Sequence, residues 1–200
     1  MKNLIIYGVG SQAEVAYSYF QIDSDYRTIA FTVEQSYIKE QNFQGLPLIP
    51  FEEIENHISP NEAEMFIAVG PIKLGSVMET FFNLAKAKGY SLASYFPSTE
   101  KKYFIPQYGE NCFFDHGAQC HPLVKIGNGV TINNSQIGHH TEIGDFSYLS
   151  SVTIGGKVII EDHVFLGMQA TIKNGVRIGK GSIIRNGSSC NQRRRTIFGI

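Results

Sequence analysis

The sequence predicts an α/β unit followed by a parallel β-helix. Two observations carry this. In residues 1–100 short β-branched and aromatic runs alternate with segments of helical spacing, and in residues 101–200 an aliphatic residue recurs about every six positions. A third agrees: the chain's 20 glycines crowd into the second half, as a fold made of repeated tight turns requires. The two patterns do not overlap, so the expected units are 1–100 and 101–200.

Taken in order, "LIIYG" (4 to 8), "TIAFTV" (28 to 33), "MFIAVG" (65 to 70) and "SLASYF" (91 to 96) are of strand length and apolar enough to be buried. Between them "SQAEVAYSYF" and "LGSVMETFFNLAKAKG" have helical spacing. In the second, Val77, Phe81, Phe82 and Ala85 share a face and Gly89 stops the helix. Strands alternating with helices form βαβ units around a small parallel sheet. The turn "GVGSQA" after the first strand places Gly8, Gly10 and Ala13 in the relaxed G-x-G-x-x-G/A spacing, with Ser11 opening the helix and Glu34 closing the second strand. That spacing alone points to a dinucleotide. A unit of about a hundred residues is only half of a dinucleotide fold, which weighs against NAD.

The second half steps by six through Tyr108, Phe114, Cys120, Ile126 and Ile132. It resumes after one slip at Ile137, Ile143 and Leu149, and after another runs through Ile160, Leu166, Ile172, Ile178 and Ile184. A period of six is neither helical nor simple strand alternation; it is the mark of coils stacked into a prism, with the aliphatic residue inward. Asn128, Asn133, Asn134 and Asn174 are expected at corners that favour positive φ. The first slip precedes "QIGHHTEIGDF", and the second contains Gly155-Gly156, where the backbone has room to bulge or to admit a ligand.

Bulk properties narrow the function classes. A formal net charge of −1 supplies no field for nucleic acid or anionic membrane. No apolar run approaches the roughly 20 residues of a membrane span. Three widely spaced cysteines, Cys112, Cys120 and Cys190, fit neither a disulfide framework nor a zinc ribbon. A cytoplasmic, metal-free protein is the expectation.

"IIYGVGSQAEVA", "MFIAVG" and "IGHHTEIGDFSYLS" with the hexapeptides after it resemble the bacterial sialic-acid O-acetyltransferase and PglD-like sugar acetyltransferases across essentially the whole chain. The resemblance implies a Rossmann-like acceptor-binding domain, a left-handed β-helix and a homotrimer. It also implies acetyl-CoA in the groove between neighbouring β-helices and a sugar or nucleotide-sugar acceptor. In the family a histidine in the I-x-H-x-x-x-I-G context is the general base; here that phase assigns His139. The following position, often acidic in relatives, is His140, so Glu142 or Asp145 is the nearby carboxylate that remains to orient the imidazole. The coil edges at Tyr148, Gly156 and Gly167 are assigned to acetyl-CoA. Gly8, Gly10, Ser11, Glu34 and Gly70 are assigned to the acceptor. Relatives carry an acidic pair after the second strand, where this chain has only Glu34, and polar residues after the "AVG" strand, where it has Pro71 and Ile72.

The chemistry requires little: a base for the proton of an attacking amine or hydroxyl, a backbone N–H for the oxyanion, and the readily leaving thiolate of CoA. No metal or enzyme nucleophile is needed. N-acetylation of a nucleotide-linked amino sugar is the favoured reaction over O-acetylation. A non-nucleotide acceptor and a non-enzymatic β-helix binding or scaffold protein are the alternatives. His116, His121 and His163 are expected at corners or surface, and His57 in a loop. Arg193, Arg194 and Arg195 are candidates for the phosphates of CoA or a solvated tail, and the C-terminal element that covers the cofactor in relatives is expected to be missing or truncated.

Overall fold

The computed structural model describes residues 1–102 and 104–191. The first unit runs β1 (Lys2–Tyr7), α1 (Ser11–Ile22), β2 (Tyr26–Val33), β3 (Asn42–Phe43), β4 (Leu46–Pro50), α2 (Ile54–His57), β5 (Glu64–Ile67) and α3 (Ser76–Ala87). The sheet order is β3-β4-β2-β1-β5, parallel except for β3 against β4. Central β1 is buried on both faces, which is why "LIIY" reads as an unbroken apolar run. Leu4 and Ile6 pack with Ala13, Ala16 and Phe20 of α1, while Ile5 and Tyr7 pack with Met78, Phe82 and Ala85 of α3.

Two expectations about this unit are corrected. The buried stripe of α3 is Met78, Phe82 and Ala85, with Val77 and Phe81 only half-buried. The helix covers the sheet on one side and meets Phe146 of the β-helix on the other, so its stripe turns toward both. "SLASYF" is extended but is not a strand of the sheet: Leu92 bridges Met65, then Tyr95 bridges Phe113. The segment leaves the edge of one unit and joins the first coil of the next.

The second unit is a three-sided prism of short parallel strands. One side stacks Phe114, Ile132, Leu149, Leu166 and Ile184; the next stacks Cys120, Ile137, Ile154, Ile172 and Cys190; the third stacks Tyr108, Ile126, Ile143, Ile160 and Ile178. These inward residues are the core, and each fully buried aliphatic contributes roughly 1.5–3 kcal/mol relative to exposure.

Both slips fall at the same corner, between the first and second sides. Ile132 to Ile137 and Leu149 to Ile154 are the short steps, and Asn133 pairs with Ser150 where they stack. The second slip therefore lies before Gly155-Gly156 rather than at it. The glycines are there for stacking. A Cβ on Gly127, Gly144, Gly155 or Gly167 would collide with the side-chain Oδ1 of Asp145, Asp162, Asn174 or Asn186 in the next coil. Those oxygens accept backbone N–H groups: Asp145 from Asn128, Asp162 from Asp145, and Asn174 from Gly156. Of the four asparagines expected at positive φ, only Asn134 has it, at 40°. Asn128 and Asn174 instead serve as these acceptors.

The α/β unit sits on the first side of the prism and on the edge between the third and first sides. Phe113 packs with Tyr95 and Phe66, and Phe146 with Phe82.

Candidate functional site

The residues singled out from sequence fall into two groups. The first is the crevice at the C-terminal ends of β1, β2 and β5, where the strand order reverses around β1, the usual place for a ligand in an open parallel sheet. Gly8 leaves β1 at φ 121°, and a Cβ there would lie 3.0 Å from the Ala68 carbonyl. Only glycine lets the turn pass so close to the segment after β5. Gly10 is the extended N-cap of α1 and Ser11 its first residue, so the first N–H groups of α1 face the crevice. A Cβ on Gly10 would meet nothing within 4 Å, whereas one on Gly70 would lie 3.5 Å from Gln12 Cγ. Glu34 does stand at the end of β2, but its Oε2 accepts the Tyr7 hydroxyl at 2.5 Å. Tyr7 stacks on Phe81 at 4.3 Å, and burial, then Glu34, pushes its hydroxyl above the ordinary tyrosine range. The carboxylate is thus partly engaged by the protein itself.

The second group is the corner between the second and third sides of the prism. His139 and His140 are exposed there. Their Nδ1 atoms are 3.0 Å apart and their rings are perpendicular. The corner is fixed by backbone bonds: His140 N donates to Pro122 O, and Lys157 N to His139 O. Beneath it the buried Thr141 hydroxyl donates to Gly155 O. His140 adopts φ 59°. The His139 imidazole lies over Gly156, where a Cβ would come 2.7 Å from Nε2. Gly156 is therefore the floor of the imidazole.

Glu142 does not join the histidines. Its carboxylate pairs with Lys125 Nζ at 3.3 Å on the third side. Asp145 is likewise committed, accepting Asn128 N on the next edge. The pairing of His139 with His140 directly is what sequence reasoning did not foresee. Adjacent residues rarely face each other; here the second stands at a left-handed corner of the coil. The three coil residues assigned to acetyl-CoA are also not gathered in one chain. Gly156 lies under His139. Tyr148 stands on the first side, accepting Asn133 Nδ2 at 2.8 Å and stacking on Phe165. Gly167 lies at the corner beyond it. Arg193 to Arg195 and the C-terminal cover lie outside the described residues.

His163 stands at a corner, as the sequence leads one to expect, but that corner is covered by the α/β unit. Its side chain is 14% exposed, and it contacts Leu74 O and Glu79 of the α/β unit. No group of three or more histidine, cysteine, aspartate or glutamate side chains among the described residues is arranged to hold a metal. No described helix is long and apolar enough to cross a membrane.

Comparison with known proteins follows the same division. Residues 157–192 match the family model "Bacterial transferase hexapeptide (six repeats)". The bifunctional protein GlmU of Herminiimonas arsenicoxydans is 33% identical over 85 residues, a match spanning 33% of this chain and 19% of that protein. The chain thus spans about a fifth of the length of such relatives. Solved structures match nearly throughout. The acetyltransferase domain of PglB from Neisseria gonorrhoeae FA1090 superposes with a TM-score of 0.80 at 16% identity, over 96% of this chain and 93% of that one. PerB from Caulobacter crescentus, in complex with CoA and GDP-perosamine, does so with a TM-score of 0.81 at 17% identity, over 96% and 90%. The described residues therefore have their two-part fold, an α/β unit on a left-handed hexapeptide β-helix.

Proposed function

We propose that this chain is an acetyl-CoA-dependent sugar acetyltransferase that N-acetylates a nucleotide-linked amino sugar, with His139 as general base. The observation that carries the reading is the exposed His139–His140 pair, built on a glycine floor at one edge of a hexapeptide β-helix. The fold shared with PglB and PerB supports it, and the latter was solved with CoA and GDP-perosamine.

The pair defines the proton inventory. One proton lies between two Nδ1 atoms 3.0 Å apart. When it resides on His139, Nε2 of that ring carries a lone pair and His140 Nδ1 accepts the bond. The amine attacks the thioester carbonyl of acetyl-CoA, its proton passes to His139 Nε2, and the C–S bond breaks. The departing thiolate takes the proton from the imidazolium, leaving an amide and free CoA. Positioned base catalysis of this kind contributes roughly 10²–10⁴-fold. His140 holds the tautomer as a carboxylate would, but without a compensating charge. No chemistry in this sequence of steps calls on a metal.

The two groups lie on different edges of the prism, separated by its third side. Within one chain the histidines stand on the edge opposite the first side, against which the α/β unit is packed. The reading therefore requires a second copy, in a homotrimer where the His139 edge of one β-helix faces the Tyr148 side and crevice of the next. In that groove Tyr148, Gly156 and Gly167 are supplied by two chains to one acetyl-CoA. At the crevice, the α1 N-terminus and the Gly8–Ser11 turn suit the phosphates of a nucleotide.

The test is a thermal-shift titration with acetyl-CoA and, separately, NAD, followed by thiol-release assays against nucleotide-linked amino sugars. Acetyl-CoA at about 100 times its Kd should stabilise the protein by roughly 2.7 kcal/mol, and NAD should not. No shift with acetyl-CoA would favour a scaffold over an enzyme.

A further inference from the structure

The crevice wall after β5 hangs from the β-helix at both ends. Ile67 is held by Asn111, a residue of the first coil that is 1% exposed and sits at φ 56°. Ile67 N donates to Asn111 Oδ1 at 2.7 Å, and Asn111 Nδ2 donates back to Ile67 O at 3.2 Å. One side chain thus does for the outer edge of β5 what a neighbouring strand would do. Leu74 is held by His163, whose Nδ1 lies 2.9 Å from Leu74 O. A carbonyl only accepts, so Nδ1 carries the hydrogen. Nε2 faces Glu79 of α3 at 3.4 Å, and the ring stacks on Phe146 at 5.5 Å.

The held segment is not a relaxed loop. Lys73, Leu74 and Gly75 are left-handed in succession, at φ 47°, 54° and 79°. Two of these are not glycine, and such residues keep this conformation only where their surroundings impose it. Gly75 sits so close to Phe146 that no Cβ fits. Inside the segment, Ala68 N donates to Tyr7 O and Ile72 N to Gly70 O.

We infer that Asn111 and His163 are positioning residues for the acceptor: they fix residues 68–73 to the β-helix, so that the crevice is registered to the coils as well as to its own sheet. The inference rests on the functional reading above for the acceptor role. Transfer between a crevice on one unit and a base on the other tolerates little misplacement, which gives such pins a purpose.

The experiment compares the full-length protein with His163→Leu and His163→Asn. An Asn amide can reach Leu74 O as the imidazole Nδ1–H does; Leu keeps bulk only. Trypsin cleavage after Lys73, followed by mass spectrometry, needs no acceptor. It should be about tenfold faster in His163→Leu, the factor expected for one lost hydrogen bond of about 1.4 kcal/mol, and near wild-type in His163→Asn. KM for the amino-sugar nucleotide should rise by a similar factor in His163→Leu, with KM for acetyl-CoA unchanged and Tm lowered by only about 3–6 °C, and Asn should restore both. Unchanged cleavage after Lys73, an equal rise in both KM values, or failure of Asn to rescue would overturn the inference. Failure of the wild-type protein to acetylate any sugar would overturn the acceptor role together with the function, while the cleavage pattern would still decide whether the loop is pinned.

Discussion

His139 is partnered by the residue that follows it. His140 is left-handed, its ring lies against its neighbour's, and a second imidazole stands where a carboxylate is expected by resemblance. An imidazole can accept the hydrogen bond but, unlike a carboxylate, brings no negative charge to stabilise the imidazolium that forms. Replacing it with His140→Glu should therefore strengthen the base and move the acid limb of the kcat/KM profile to higher pH. His140→Leu should lower kcat by about tenfold, the loss of one orienting bond of about 1.4 kcal/mol. Stopped-flow thiol release across pH 5–9 would check both (a range set by ordinary imidazole titration). A pH profile unmoved by Glu would mean that the two rings act independently.

The element scale is where sequence and structure agree most closely, and the reasons differ by element. The six-residue beat was legible because each inward residue stacks on its equivalent in the next coil, so a covalent period and a packing period coincide. Central β1 was legible because burial on both faces leaves an apolar run. Short β3 and β4 were not, since Asn42–Phe43 and Leu46–Pro50 carry only partial burial and little periodicity. "SLASYF" misled because its apolar residues serve two different units at single bridges. Of the candidate site, the histidines and the glycine turn were visible as residue types in phase. The roles of Asn111 and His163 were not, because their partners are 44 and 89 residues away in the chain. The coils also make a chemical prediction. Cys112 and Cys120 are buried in the stack, and burial pushes both thiols up to about 12. In the unfolded chain they ionise near their ordinary value of about 8.5. Their contribution to stability is full below that pH and is lost as pH rises toward about 12. Iodoacetamide at pH 8 should leave both unlabelled in the native protein and label them in urea, as read by mass spectrometry. Native labelling at the unfolded rate would contradict the buried column.

At the scale of the whole molecule, the proposed function sets its base on one edge and its acceptor crevice near another, and calls for an assembly to bring them together. Gly10→Phe adds a side chain where there is open space, blocking the crevice without crowding the fold. His139→Asn removes the base. Each variant alone should be inactive. Co-expressed, they should regain about a quarter of wild-type activity, the fraction of shared sites that draw an intact histidine and an intact crevice from neighbouring copies in a random mixed trimer. No recovery would place base and crevice in the same chain. Single-turnover acetyl transfer from acetyl-CoA to a nucleotide-linked amino sugar should be about 10²–10⁴-fold slower in His139→Asn than in the wild-type protein, with acetyl-CoA affinity and oligomeric state unchanged. Transfer at the wild-type rate in that variant would contradict the assignment of His139 as the base.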